Sequence, residues 1–175
     1  MDIVDCILAD HNQQRTMFMA LEDARGDPEA LGKIFNRLKN FLEAHAAAEE
    51  KFFYPTLLQK GEGALDSDSA AETTEDAIDD HNKIARAAEE AMRQPIGSEA
   101  WWAAVDQCNL HNSDHMSEEE RQGLTDFKRT VPLPERVSLA VKYLAFESEH
   151  SGEFKRLEKD PETYIEQNET APSPA

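Results

Sequence analysis

The motif His45-Ala-Ala-Ala-Glu49 is the strongest indication of the fold in this sequence, because its pattern recurs later in the chain as His115-Met-Ser-Glu-Glu119. A histidine and a glutamate four positions apart lie on the same face of an α-helix. Both pairs interrupt rows of apolar residues at helical spacing, so each is expected to point into a helical core. Burying an imidazole and a carboxylate is unfavourable unless they are paired or bound to a metal.

The separation in sequence between His45 and His115, here called the repeat offset, also relates two further histidines, His11 and His81. Each of them therefore precedes the His-xxx-Glu pair of its own half by the same length of chain. We interpret the chain as two copies of a helix pair, residues 3–60 and 73–127, joined by a linker rich in Gly, Ser and Asp. Four helices with metal-ligand side chains at matching depth predict a two-metal site inside a four-helix bundle.

The chemistry of these side chains limits which metal ions they can bind. Imidazole nitrogen and carboxylate oxygen suit iron, manganese or zinc, and carboxylates can bridge two ions. We assign one ion to the histidines of each half, with both glutamates bridging. A solvent-derived oxo or hydroxo bridge would leave an open position for O₂, peroxide or NO. The predicted metal ligands are His11, His45, Glu49, His81, His115 and Glu119.

This order of motifs resembles the hemerythrin-like family of HHE cation-binding domains, which includes bacterial hemerythrin-like proteins, over about residues 3 to 127. The resemblance implies an all-α, up-down-up-down bundle around two iron ions, with manganese or zinc the lesser alternatives. Members bind O₂, sense oxygen or iron, or react with peroxide and nitrogen oxides. Hemerythrin itself has a His-xxx-His pair on its third helix, whereas Ala77 and Ala85 flank His81 here. Oxygen carriage is therefore not favoured.

Two more side chains are candidate ligands or hydrogen-bond partners of ligands. His111 lies one turn before His115, and a core histidine is the alternative interpretation. Tyr54 precedes Pro55, and only a helix disturbed by that proline would turn the phenol inward. Several acidic residues neighbour these candidates, and we expect them to be solvated: Asp10, Asp80, Glu50, Glu118 and Glu120. For Asp10 and Asp80, the alternative is a hydrogen bond to the ring of a histidine ligand.

The sequence divides into a bundle of residues 1–128, an extra helix within 129–159 and a tail, 160–175, that is expected to be disordered. Thr73 or Thr74 is expected to cap the third helix. The extra helix either covers the bundle or forms a homodimer face, and its predicted apolar stripe is Val137, Ala140, Val141 and Leu144.

Composition excludes several classes of partner. The chain has 36 acidic and 18 basic residues and a net charge of −18, which argues against nucleic acids and anionic membranes. Two cysteines are too few for a disulfide framework, and both fit reduced core positions. Without a basic leader or a long apolar run, the expected location is the cytoplasm.

Three functions fit these features. The favoured one is a di-iron, catalase- or peroxidase-like oxidoreductase that removes hydrogen peroxide, with NO or O₂ as other small reactants. The second is a module that senses or binds O₂, NO or iron without turnover. The third is a metal-free helical interaction protein. The expected partner is a small molecule, and the chain is expected to be a monomer or homodimer. The sequence identifies no catalytic acid.

Overall fold

The computed structural model describes residues 1–63 and 69–151, and within these ranges its regular structure is entirely α-helical. The predicted all-α bundle is confirmed. The second and fourth helices of the predicted bundle are each broken once, at Phe53 and at Gln122. The helices are α1 Ile3–Asp23, α2 Pro28–Phe52, α3 Tyr54–Lys60, α4 Ala70–Arg93, α5 Glu99–Arg121, α6 Gly123–Thr130 and α7 Leu133–His150.

The start of α4 differs from the sequence prediction. Ser69, not Thr73 or Thr74, is the N-cap, and its hydroxyl accepts a hydrogen bond from the backbone N–H of Glu72. The Glu72 carboxylate accepts one from the backbone N–H of Ser69 in return. This reciprocal capping box satisfies two N–H groups that the helix leaves unpaired, so the helix extends back to Ala70.

Two apolar clusters form the core, one on each side of a polar layer. The first surrounds Phe53 and Phe127, whose rings lie 4.8 Å apart. The second surrounds Phe35 and Trp101, whose rings meet edge-to-face at 5.3 Å. The layer between them holds the histidines and glutamates of the repeat. The apolar clusters therefore keep this polar layer away from bulk solvent.

The extra helix α7 packs against α1 and α2, so it covers the bundle. Its predicted apolar stripe is wrong at two positions, because Val137 and Val141 are 37% and 57% exposed. Ala140, which belongs to the predicted stripe, and Tyr143, which does not, are both fully buried. The helix is thus rotated so that an aromatic side chain faces the bundle. The predicted end of this helix beyond residue 151 and the tail 160–175 lie outside the described residues.

Among the residues described, no helix combines the length and the apolar character that a membrane crossing requires.

Candidate metal centre

The polar layer contains the six side chains that the repeat singles out. α1 contributes His11, α2 contributes two residues, α4 one and α5 two. All six are buried, and the most accessible, His81, is only 7% exposed. The structure therefore brings together every predicted ligand: His11, His45, Glu49, His81, His115 and Glu119.

Glu49 lies between the two halves of the repeat. Its Oε1 is 3.0 Å from Nε2 of His45 and 3.8 Å from Nε2 of His11. Its Oε2 is 3.3 Å from Nε2 of His81 and 4.0 Å from Nε2 of His115. Each oxygen thus faces the histidines of one half, which is the arrangement a bridging carboxylate requires.

Glu119 has a different environment. Its Oε2 lies 3.2 Å from Nε2 of His11, and its Oε1 accepts a hydrogen bond from the hydroxyl of Tyr54 at 2.5 Å. One oxygen therefore faces the centre, while the other is held by a phenol.

Most of the inward atoms converge without satisfying one another; Nε2 of His81 and Nε2 of His115, 3.2 Å apart, are the exception among the described residues. Nε2 of His11 and His45, both oxygens of Glu49 and Oε2 of Glu119 are buried, and none has a hydrogen-bond partner in the described ranges. Two groups of three in this layer are compact enough to hold an ion: His11 with His45 and Glu49, and Glu49 with the two histidines of the second half. Such a nitrogen and carboxylate-oxygen set fits iron, manganese or zinc.

Carboxylates from other helices hold two of the histidine rings from outside. Nδ1 of His11 lies 2.9 Å from Oε1 of Glu120, and Nδ1 of His81 lies 2.9 Å from Oε1 of Glu50. Because an ionised carboxylate only accepts hydrogen bonds, each Nδ1 donates, and each Nε2 can direct its lone pair at a metal. Glu50 and Glu120 are related by the repeat offset. The prediction that they are merely solvated missed these contacts.

His45 has a longer chain of partners. Its Nδ1 lies 2.7 Å from the hydroxyl of Tyr143, which donates to Oδ2 of Asp10 at 2.9 Å. The phenol has one hydrogen, so it accepts from Nδ1–H of His45. Tyr143 was missed in the sequence because it lies outside the repeat; its helical spacing from Ala140 was the available signal. Asp80, the repeat counterpart of Asp10, pairs with Lys83 at 2.8 Å.

The two additional candidates are placed differently. Tyr54 begins α3 immediately after the break at Phe53, and its buried phenol reaches Glu119. The disturbed turn before Pro55 therefore does turn this side chain inward. His111 is half-buried and belongs to neither compact group of possible ligands in the layer. Direct metal ligation by either residue stays a prediction.

The charges of the layer alter the protonation of its histidines. Burial alone would lower the pKa of His11, but the close carboxylates of Glu119 and Glu49 outweigh it and raise the pKa to about 9. Burial is likewise outweighed at His81, where Glu49 and Glu50 raise the pKa to about 9. Without metal, these two rings therefore hold protons at neutral pH, and a metal ion must displace them.

The remaining histidine of the second half behaves in the opposite way. Burial, reinforced by the charge of His81, lowers the pKa of His115 to about 3. For Glu49, burial favours protonation, but His45 and the neighbouring rings outweigh it and hold the pKa well below its usual value. A neutral imidazole and an ionised carboxylate are the forms that bind metal.

A small cavity of about 40 Å³ adjoins the layer. It touches three of the histidines and extends between α2, α4 and α5. Ala85 lines it at a position one turn beyond His81. The other apolar residues that line it are Leu42, Ala46, Ile84 and Ala88.

The model of the hemerythrin HHE cation binding domain matches residues 2–124. No curated protein and no solved structure matches the chain. The matched range includes both His-xxx-Glu pairs and the two single histidines, and it ends before α7. The chain therefore belongs to the hemerythrin HHE cation-binding domain family.

Proposed function

We propose that the chain is a non-haem di-iron protein that reacts with small oxidants, above all hydrogen peroxide, as a catalase- or peroxidase-like oxidoreductase. The observation that carries this proposal is the position of Glu49, which offers one oxygen to the histidines of each half. NO and O₂ are further candidate reactants. Cytoplasmic peroxide or NO detoxification by a monomer or homodimer is the proposed setting.

The donor set assigns a role to each half. His11 and His45 would hold one iron, His81 and His115 the other, and Glu49 would bridge them. Bound iron supplies redox and Lewis-acid chemistry, and an oxo or hydroxo bridge would complete the pair. Manganese or zinc would fit the same atoms.

The chain's own residues prepare this site. The outer partners of the histidine rings fix the tautomer that directs Nε2 inward. The hydroxyl oxygen of Tyr54 lies 2.5 Å from Oε1 of Glu119, and burial followed by the charge of Glu119 raises the pKa of this phenol well above its usual value. The phenol therefore stays protonated, donates a hydrogen bond to Glu119 and so positions its carboxylate.

The cavity supports a reactant of very few atoms. A volume of about 10–15 Å³ already holds one water molecule by this measure, so about 40 Å³ accepts a molecule the size of peroxide. A larger organic substrate would need the helices to separate.

Peroxide consumption by the iron-loaded protein tests the proposal. We expect two irons per chain and peroxide loss well above that of the same concentration of free iron. Glu49→Ala and His115→Ala should abolish both, because each removes a donor from the centre. His150→Ala is the matched control, since the contacts of this exposed ring in the described residues are with Phe146 on its own helix, whose carbonyl oxygen lies 2.7 Å from Nδ1 and whose ring stacks on the imidazole. Equal rates for free iron and protein, or unchanged turnover in Glu49→Ala, would contradict the proposal.

A sensing or binding module without turnover is the second candidate. It is favoured by the contact between Tyr143 and His45, which connects the centre to a helix outside the repeat. A stable, reversible O₂ or NO adduct without peroxide turnover would support this function. Protein that binds no metal when iron, manganese or zinc is supplied would support the metal-free interaction protein.

A further inference from the structure

Two buried amides lie one helical turn from the histidines. Gln14 follows His11 by three positions on the inward face of α1, and it is fully buried. Neither its amide oxygen nor its amide nitrogen has a hydrogen-bond partner in the described part of the chain. Asn112 precedes His115 by three positions on α5 and is 2% exposed. Such groups are rare in protein interiors because desolvating an amide without a partner is unfavourable.

The repeat places both amides in one layer of the bundle. At the repeat offset, Gln14 corresponds to Ile84 on α4, and Asn112 corresponds to Leu42 on α2. Three of these four residues, Leu42, Ile84 and Asn112, line the cavity beside the histidines. Gln14 occupies the fourth equivalent position, on α1, and is not among the residues that line this cavity. Each half of the repeat therefore supplies one amide and one aliphatic side chain to this layer.

These amides lack the strong hydrogen bonds within the fold that buried amides usually make. Within the described residues, the amide nitrogen of Asn112 reaches only the sulfur of Met116 on its own helix, at 3.8 Å, and thioether sulfur is a weak acceptor. Since the other half of the repeat fills the equivalent positions with Ile84 and Leu42, aliphatic residues would complete this layer as well. A polar ligand in this layer would hydrogen-bond the amides and so offset the cost of burying them.

We propose that Gln14 and Asn112 form a polar subsite that hydrogen-bonds a small ligand with acceptor atoms, such as hydrogen peroxide, beside the metal centre. The inference rests on the proposed function, because the ligand is held between these amides and the metals. An all-aliphatic layer would not distinguish peroxide from an apolar diatomic gas. Amides that donate and accept hydrogen bonds favour peroxide.

The two halves of the repeat supply the variants for the test. Gln14→Ile and Asn112→Leu each copy the residue at the equivalent position, and the double variant makes the layer aliphatic throughout. Gln13→Ile is the matched control, since this neighbouring glutamine is exposed. Azide, which accepts hydrogen bonds, and NO, which accepts them poorly, serve as probes of the iron-loaded proteins by ultraviolet–visible titration.

We expect the double variant to bind two irons, to unfold at a temperature no lower than the parent, and to bind azide about ten-fold more weakly, as for the loss of one hydrogen bond. NO affinity should stay within about two-fold. Unchanged azide affinity, an equal loss for azide and NO, or a lower unfolding temperature of the metal-free variant would each overturn the inference. A parent protein that binds iron but no azide would also overturn it. A parent that binds no iron refutes the proposed function, and this inference falls with it.

Discussion

For single residues, the first feature is that three of the four histidines hydrogen-bond, through Nδ1, residues on the outer side of the metal centre. Glu120 and Glu50 accept from His11 and His81, and Tyr143 accepts from His45. No corresponding hydrogen bond to Nδ1 of the fourth histidine is seen within residues 1–63 and 69–151. The two halves of the centre are therefore unequal, although their predicted ligands repeat.

Tyr143→Phe tests the outer support of His45. The phenyl ring keeps the packing of α7, but His45 loses the acceptor that fixes its tautomer. Metal affinity, measured by competition with a chelator, should fall about ten-fold to a hundred-fold, as for outer partners of metal-bound histidines generally. The unfolding temperature of the metal-free protein should fall as well, because the buried Nδ1–H of His45 loses its acceptor.

Val141→Ala is the control for that measurement, because this side chain on the same helix is 57% exposed. Equal metal affinity in Tyr143→Phe and Val141→Ala would show that the phenol plays no part in holding the ion.

For the helices, the sequence predicted the side chains that recur in both halves of the repeat, but it did not predict contacts between helices. The six inward side chains could be predicted from the repeat offset because each is a polar His or Glu that interrupts an apolar stripe. The acceptors Glu50 and Glu120 were not assigned to rings because their partners lie on other helices, and contacts across helices leave no spacing in the chain. Tyr143 has no counterpart in the repeat. Ser69 was missed because Thr73 and Thr74 also offer side-chain caps.

Ser69→Ala tests the observed start of α4. Removing the hydroxyl leaves the backbone N–H of Glu72 without its partner, and loss of an N-cap of this type costs about 1 kcal/mol. The free energy of unfolding from denaturant titration should fall by about that amount. Thr73→Ala should have a much smaller effect, and a larger effect of Thr73→Ala than of Ser69→Ala would contradict the observed cap.

At the scale of the whole molecule, a buried polar layer separates two apolar clusters, and its protonation contributes to stability. The pKa of His11 and His81 is about 9 in the folded, metal-free protein, against 6.5 for an unperturbed ring. Folding therefore takes up protons at these rings. For His115, with a pKa of about 3, folding releases a proton instead.

These opposite shifts predict that the combined contribution of the three histidines to stability is largest near pH 6.5 in the metal-free protein. The contribution of His11 and His81 is complete below about pH 6.5 and is lost as the pH rises through about 9. The contribution of His115 is complete above about pH 6.5 and declines as the pH falls through about 3. Circular-dichroism melting across the range from acidic to alkaline pH measures this profile.

Metal loading should remove the alkaline decline, since the ion replaces the protons on the rings. A metal-free protein whose unfolding temperature is constant or rises between about pH 6.5 and 9 would contradict this prediction.

The position of α7 also bears on where the metal-binding unit ends. A fragment cut at residue 124, where the family match stops, would retain every proposed ligand. It would still lose the phenol of Tyr143, and the side of α1 and α2 that α7 covers would become accessible. Laboratory fragments and domain fusions of this chain should therefore extend through His150.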